Sequence, residues 1–336
     1  MTRRKPSSRR RVEQSWPNRD AEPPRFASAL LAWYDANARD LPWRQNRDPY
    51  RVWLSEVMLQ QTRVQAVLEH YRLFLKKFPT VHKLASAREP SVLAAWSGLG
   101  YYRRARMLHA AAKVVVRELG GRFPTDSEGW RSLPGIGRYT AAAIASISAN
   151  EATAVVDGNV ERVVSRLRGK TLAGEAVWEN ANGLLDRTRP GDFNQAMMEL
   201  GATICLPRQP RCPLCPVMDY CSTRGELPSR RVAPVQKKRI ANFGLSRTED
   251  QVFLVRRGAG ASLMPGMWEL PELPAPNGGK PLFSLRHSIT VTDYAVHVVE
   301  MDSPEELEGE WVAHSRLSSL PLTGLARKIL RRAEML

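Results

Sequence analysis

The chain reads as a multidomain protein, a long all-α core with a cysteine-rich loop followed by a smaller α+β domain. Three observations predict this. Apolar residues recur at helical spacing from about Phe26 to Thr223. All four cysteines fall in one short window, Cys205-x6-Cys212-x2-Cys215-x5-Cys221, with none elsewhere. Near Gly225 the composition changes: ELPSRRVAPVQKKR packs two prolines and five basic residues into fourteen, as a linker does, and short β-type segments follow.

The elements follow in order. The first eleven residues, MTRRKPSSRRR, hold six basic side chains and no acid. They read as part of a disordered arm over residues 1–25, without the apolar stretch of a secretory signal. FASALLAWYDANAR is a first amphipathic helix. Val64, Leu68, Tyr71 and Leu75 recur at helical spacing, as do Leu108, Ala112, Val115 and Leu119, with Gly120 as a C-terminal stop. Thr80 and Asp126 are expected to cap two shorter helices. Beyond the linker, RIANFGLSR, QVFLVRR, SITVTDYAVHVVEM and GEWVAH read as strands, and LARKILRRAEML as a closing basic helix. There is no internal repeat.

At 336 residues and 43% hydrophobic content, the chain is long enough for about two packed cores. No run of about 18 apolar residues suggests a membrane span. A net charge of +16 points to a polyanionic partner, most simply nucleic acid; a basic but merely soluble protein is the plainer reading.

Four thiols concentrated in one loop are expected to hold a metal centre rather than to staple distant segments. Zinc favours two tight knuckles, and only Cys212–Cys215 forms one. The 6-2-5 spacing leaves room to wrap an iron–sulfur cluster, with zinc as the alternative. Leu133-Pro134-Gly135-Ile136-Gly137, before the small-residue helix AAAIASIS, is a hairpin whose backbone N–H groups at Gly135 and Gly137 can grip a phosphate. An ordinary helix–helix turn would look the same. GLGYYRRAR at 98–106 sets two aromatics beside three arginines, either a stacking wedge with phosphate-binding charge or a helix start with a solvated face. Glu56 lies among Leu54, Val57, Met58 and Leu59, where desolvation would raise its pKa and suit a general acid. Asp157, in VVDGNV, is the second carboxylate and also a natural helix N-cap.

The cysteine spacing, the LPGIG hairpin and VVDGNV together resemble the helix-hairpin-helix DNA glycosylase superfamily that includes endonuclease III. LPWR at 41–44, LSEVMLQQT at 54–62, GLGYYRRAR and FNQAMMELGA at 193–202 narrow the resemblance to MutY-type adenine DNA glycosylases over about residues 27–223. The resemblance implies an all-α helix-hairpin-helix glycosylase core with an iron–sulfur cluster loop, plus a C-terminal α+β Nudix/MutT-like domain. It implies a six-helix barrel lobe over 42–146 and a cluster lobe made of 26–41 and 147–224. A linker at 225–239 would lead to an 8-oxoguanine-recognition domain at 240–336. Cys205, Cys212, Cys215 and Cys221 would carry a 4Fe-4S cluster. Glu56 would protonate adenine N7 and then activate water, Asp157 would stabilise the oxocarbenium-like sugar, and Tyr139 and Asn159 would orient the two carboxyls. Trp43, Arg44, Leu59 and Gln195 match adenine-pocket positions; Gln61, Thr62, Leu99 and Tyr101 match residues that wedge into the stack.

Bifunctional relatives carry a lysine nucleophile where this chain has Tyr139, so hydrolysis without a lyase step is expected. MPGMWELPELP at 264–274 resembles the Nudix-like signature, but the acidic magnesium helix is absent, so nucleotide hydrolysis is not expected. In LRHSITV at 285–291, Thr290 keeps the hydroxyl of the family's recognition loop while its flanking Phe and His are missing. The expected partner is double-stranded DNA carrying adenine opposite 8-oxoguanine or guanine. The protein is expected to act as a cytoplasmic, nucleoid-associated monomer. A thymine or uracil mismatch glycosylase on the same scaffold and a catalytically silent DNA-binding iron–sulfur protein are the competing functions.

Overall fold

The computed structural model describes residues 23–228, 236–274, 280–289, 291–302, 304 and 307–336. The arm at 1–22, residues 229–235 of the linker and Thr290 lie outside them, and β1 already begins at Lys237, inside the span expected for the linker. The chain divides into two compact units, Met1–Arg39 with Ala145–Pro228, and Asp40–Ile144 with Ser229–Leu336.

The first unit is helical. Its elements are α1 (Pro23–Asn37), the end of α8 (Arg138–Ala149), α9 (Gly158–Leu167), α10 (Glu175–Leu184) and α11 (Pro190–Thr203), followed by single 3-10 turns at Cys212–Leu214 and Met218–Tyr220. Phe26, Leu30, Val164, Leu184 and Phe193 close its core, and Cys205, Cys215 and Cys221 pack against it. Glu199, only 1% exposed, is matched by Arg39 through two N–H···O bonds of 2.6 and 2.8 Å. A buried carboxylate is tolerated on such terms.

The helical part of the second unit runs from a 3-10 turn at Pro42–Arg44 through α2 (Pro49–Leu59), α3 (Val64–Lys77), α4 (Val81–Ala85), α5 (Glu89–Trp96), α6 (Arg103–Arg117), α7 (Ser127–Arg131) and the start of α8. Thr80 and Asp126 cap α4 and α7 as expected, accepting from the Lys83 and Gly129 amides. Trp53 and Trp130 pack with ring centres 5.8 Å apart, and Phe123 stacks on Trp130.

The C-terminal part builds two small sheets. One has the order β4–β1–β6–β5, from β1 (Lys237–Leu245), β4 (Glu272–Leu273), β5 (Phe283–Ile289) and β6 (Thr292–Glu300). In it β1 and β6 run parallel. The other has the order β3–β2–β7, from β2 (Gln251–Arg256), β3 (Trp268–Glu269) and β7 (Glu310–Ala313). A short α12 (His314–Leu317) leads to α13 (Gly324–Arg332), whose Leu325, Ala326, Ile329 and Leu330 close the core with Val252, Leu254, Val296 and Val298.

The segment SITVTDYAVHVVEM is not one strand. Ile289 ends β5, Thr292 begins β6, and the two pair antiparallel across the reversal. No glycine, proline or asparagine marks the corner, and β-branched residues on both sides continue the strand-like composition through it.

Candidate active site and cysteine loop

Helix α2 begins at Pro49, with Asp48 accepting from the Arg51 amide, and is apolar around most of its circumference. Trp53, Leu54, Val57 and Met58 are all buried, so Glu56 is drawn in with them to 6% exposure. Its partner comes from the start of α8, where the Tyr139 hydroxyl donates to Glu56 Oε2 at 2.9 Å. One residue on, the Thr140 hydroxyl accepts from the Gln60 amide at 3.0 Å, tying the end of α2 to α8. The turn before α8 needs Gly135, with φ of +76° and no room for a Cβ beside Met107.

Arg104 of α6 organises the neighbouring loops. Its guanidinium donates to the carbonyls of Val57 (2.8 Å), Met58 (2.9 Å) and Gln60, to the Thr62 hydroxyl (3.0 Å), and to the carbonyls of Leu99 (3.3 Å) and Gly100 (3.2 Å). It therefore closes the C-terminus of α2 and links both predicted wedge segments. Burial pushes its pKa down to about 10. Within those segments Gln61 and Tyr101 are exposed with φ of +54° and +48°, whereas Leu99 is 6% exposed and faces inward. A cavity of about 410 Å³ lies here, lined among others by Gln60, Gln61, Tyr101, Arg104 and Gly135. Gly137 is exposed at the foot of α8. Trp43 is buried edge-on to Tyr71, while Arg44 and Leu59 are half-buried.

Asp157 sits in the first unit as the N-cap of α9. Its Oδ1 accepts from the amides of Asn159 (2.9 Å) and Val160 (2.7 Å), and its Oδ2 from the Asn159 side chain (2.9 Å). Asn159 is held in turn by Arg162, whose Nη2 reaches Asn159 Oδ1 at 2.9 Å and the Gly201 carbonyl at 2.7 Å, while its Nε reaches the Cys205 carbonyl at 2.8 Å. The segment leading to Asp157 is fixed by Asn194, 2% exposed, which bonds the Ser146 hydroxyl, the Thr153 carbonyl and the Val155 amide. Gln195 is half-buried on the same helix.

The four cysteines line one cavity of about 30 Å³ with Arg166 and Met218. That exceeds the roughly 10–15 Å³ one water needs, so it admits more than a single small particle. Among the described residues, no group of three or more His, Cys, Asp or Glu is placed to hold a metal ion. Arg166 donates to Cys205 Sγ at 3.3 Å and the Arg224 amide to Cys221 Sγ at 3.4 Å, while Cys221 Sγ in turn donates to the Arg166 carbonyl at 3.4 Å. Burial, and then the neighbouring thiols, push Cys215 up to about 11. As free thiolates the four would repel one another; a bound cationic centre removes that cost. The donor set fits a multi-atom thiolate-bound group.

Residues 54–176 match the family described as HhH-GPD superfamily base excision DNA repair protein. A Homo sapiens relative named adenine DNA glycosylase is 47% identical over 245 residues, covering 68% of this chain and 44% of that one. A Schizosaccharomyces pombe relative of the same name is 32% identical over 319 residues, covering 74% and 69%. A solved structure described as a thermostable thymine-DNA glycosylase superposes with a TM-score of 0.58 at 31% identity, over 61% of this chain and 97% of that one. The chain belongs to the MutY-type helix-hairpin-helix glycosylase family. It spans less than half the length of the human relative. The family match includes Glu56, Tyr139, Asp157 and Asn159 and ends before the cysteine loop.

Two residues of this MutY-type chain were not singled out from sequence alone, Arg162 and Asn194, and Arg104, read there as phosphate-binding or solvated charge, instead bonds backbone and a hydroxyl within the protein. Asn194 carried a weak signal, a poor helix former directly beside Phe193 in a helix whose other polar residues are Asp192, Gln195, Glu199 and Thr203. The structural roles of the two arginines carried none, since Val57, Met58, Gly201 and Cys205 lie about 40 residues or more from the side chains that bond them.

Proposed function

We propose that the protein is a monofunctional adenine DNA glycosylase of base excision repair, hydrolysing the N-glycosidic bond of adenine opposite 8-oxoguanine or guanine in double-stranded DNA. The observation that carries this reading is the buried Glu56 carboxyl hydrogen-bonded to Tyr139. Adenine leaves poorly as an anion, so a donor must protonate N7, and a carboxyl in an apolar setting is such a donor. After the bond breaks, the same carboxylate takes a proton from the attacking water. Asp157, fixed by three N–H donors, is the anion that faces the developing sugar cation, with Asn159 as its positioning partner. Tyrosine at 139 has no amine to form a Schiff base, so strand cleavage is not part of the reaction. Extruding the base costs a few kcal/mol, which the turn at Leu99 and Tyr101, the loop at Gln61 and Thr62, and phosphate contacts at Gly135 and Gly137 would offset. Trp43, Arg44, Leu59 and Gln195 would form the adenine pocket.

Cys205, Cys212, Cys215 and Cys221 would hold a 4Fe-4S cluster. One cavity shared by four thiols, with only Cys212 and Cys215 spaced as a tight knuckle, supports a cluster over zinc. When bound, such a group supplies thiolate cross-links that fold the loop. The C-terminal part would be a Nudix-like domain that reads the opposite base. We place the protein with the chromosome in the cytoplasm, acting as a monomer.

The test is a panel of duplexes carrying A opposite 8-oxoguanine, A opposite G, T opposite G and U opposite G, each offered to the wild type and to Glu56→Gln. Adenine release by the wild type alone supports the reading. Release of thymine but not adenine would favour the activity named for the solved neighbour. Iron content and a broad visible absorbance band test the cluster; stoichiometric zinc in anaerobically prepared protein would overturn it.

A further inference from the structure

A cavity of about 810 Å³ opens between the turn at 98–103, the loop at 261–265, the end of β5 and the exposed face of α13. Five cations line it, Arg103, Arg106, Arg327, Lys328 and Arg331, and no Asp or Glu does. Only Arg106 is neutralised, by Glu89 at 2.9 Å; among the described residues the other four have no carboxylate partner. Burial and then Arg331 act to lower Arg327, and burial and then Lys328 lower His287. Uncompensated like charge around a concavity destabilises the empty state and is relieved by a bound anion.

The walls are set in advance. The Leu322 carbonyl accepts from the Ser97 hydroxyl at 2.9 Å and the Tyr102 hydroxyl at 3.1 Å, while Arg327 Nε donates to Ser97 Oγ at 3.0 Å. Arg106 donates to the Pro265 carbonyl. These bonds hold the turn that carries the exposed Tyr101 against the start of α13, so Arg103 faces the same space as Lys328 and Arg331 without further ordering. The backbone that carries the three donors is placed beforehand, and Lys328 Nζ rests on the Arg286 carbonyl at 2.6 Å, so binding has only the side chains left to order.

We propose that this cavity binds a backbone phosphodiester of duplex DNA, with Arg103, Lys328 and Arg331 as its cationic contacts and Tyr101 packing on the adjoining sugar or base. The inference rests on the reading of the chain as a DNA-acting enzyme and adds to it a phosphate site on the C-terminal helix. A free nucleotide offers the same phosphate chemistry, so the experiment separates the two.

The full chain carrying Lys328→Glu and Arg331→Glu is titrated with undamaged duplex by fluorescence anisotropy across a salt series. Both side chains are exposed, so folding should persist, checked by melting temperature. Each phosphate contact contributes about one to the slope of log affinity against log salt, so the slope should fall by about 2 and affinity by tenfold or more at low salt. Arg316→Glu with Arg332→Glu, equally exposed in the same domain but outside the cavity lining, should change the slope by much less. Equal losses in both pairs would reduce the effect to a general field and overturn the site. An unchanged slope in the first pair would do the same, as would dGMP binding lost on reversal while duplex affinity is kept. Undamaged duplex needs no chemistry. A chain that releases no base yet loses slope would sink the activity and leave the phosphate site standing.

Discussion

Gly201→Ala is the substitution with the most to say about how the first unit holds Asp157. Gly201 lies on α11, where an alanine ordinarily stabilises a helix by about 0.5–1 kcal/mol. Here a Cβ would sit 2.6 Å from Asn159 Cβ and 3.2 Å from its Cα. Ordinary carbon contacts need about 3.5–4.0 Å, so α9 must retreat by about 1 Å. Overpacking of this kind costs about 1–3 kcal/mol, which outweighs the helix gain and makes the net effect destabilising. Because Asn159 and its neighbours hold the Asp157 carboxylate, the retreat displaces that group, and a 1 Å error at a reacting centre can cost about a hundredfold in rate. The assay is single-turnover adenine release at saturating duplex, with melting temperature in parallel. Gly183→Ala on α10 is the control: a Cβ there meets nothing within 4 Å, so stability should hold or rise and the rate should not change. A Gly201→Ala protein that melts higher than wild type, or reacts within threefold of it, would refute the reasoning.

Tyr139→Phe removes one hydrogen bond to Glu56 and should slow single-turnover release about ten- to a hundredfold while leaving DNA affinity intact, measured by anisotropy. Arg104→Lys replaces a planar fork serving six acceptors on three segments with three donors on one nitrogen; expected is a destabilisation of about 2–3 kcal/mol by urea unfolding, with weaker duplex binding. His109 is held below its ordinary value of 6.5 by burial and then by Lys113. Below pH 6.5 the unfolded chain therefore takes up more protons than the folded one, so stability is lost as pH falls through that window. His109→Gln should flatten the fall in melting temperature between pH 7 and 5.5, and an unchanged slope would exclude the histidine as its source.

What the sequence discloses follows the range of the interaction concerned. Thr80, Asp126 and Asp157 cap helices because their side chains reach amides two or three residues away, and each was legible from its immediate neighbours. The burial of Glu56 was legible for the same reason: a helix apolar on most of its faces leaves a carboxylate no solvated side. The antiparallel pairing of Ile289 with Thr292 was hidden, since a reversal without Gly, Pro or Asn differs from a strand only in what it later pairs with. The bonding of Arg104 and Asn194 was hidden for a stronger reason. Arg104 bonds carbonyls about 45 residues upstream, and Asn194 a hydroxyl and an amide about 40 residues away, partners that no local pattern displays. Such residues matter in each unit. Asp157 lies at the end of a non-helical approach, and loop 60–62 and turn 98–101 hold left-handed backbone at Gln61, Gly98, Gly100 and Tyr101, so their shapes must be imposed from outside. The local code places the two carboxyls on their elements. Buried polar side chains from distant helices then fix the connecting segments, and it is at these segments, not in the apolar cores, that single substitutions should separate loss of activity from loss of fold.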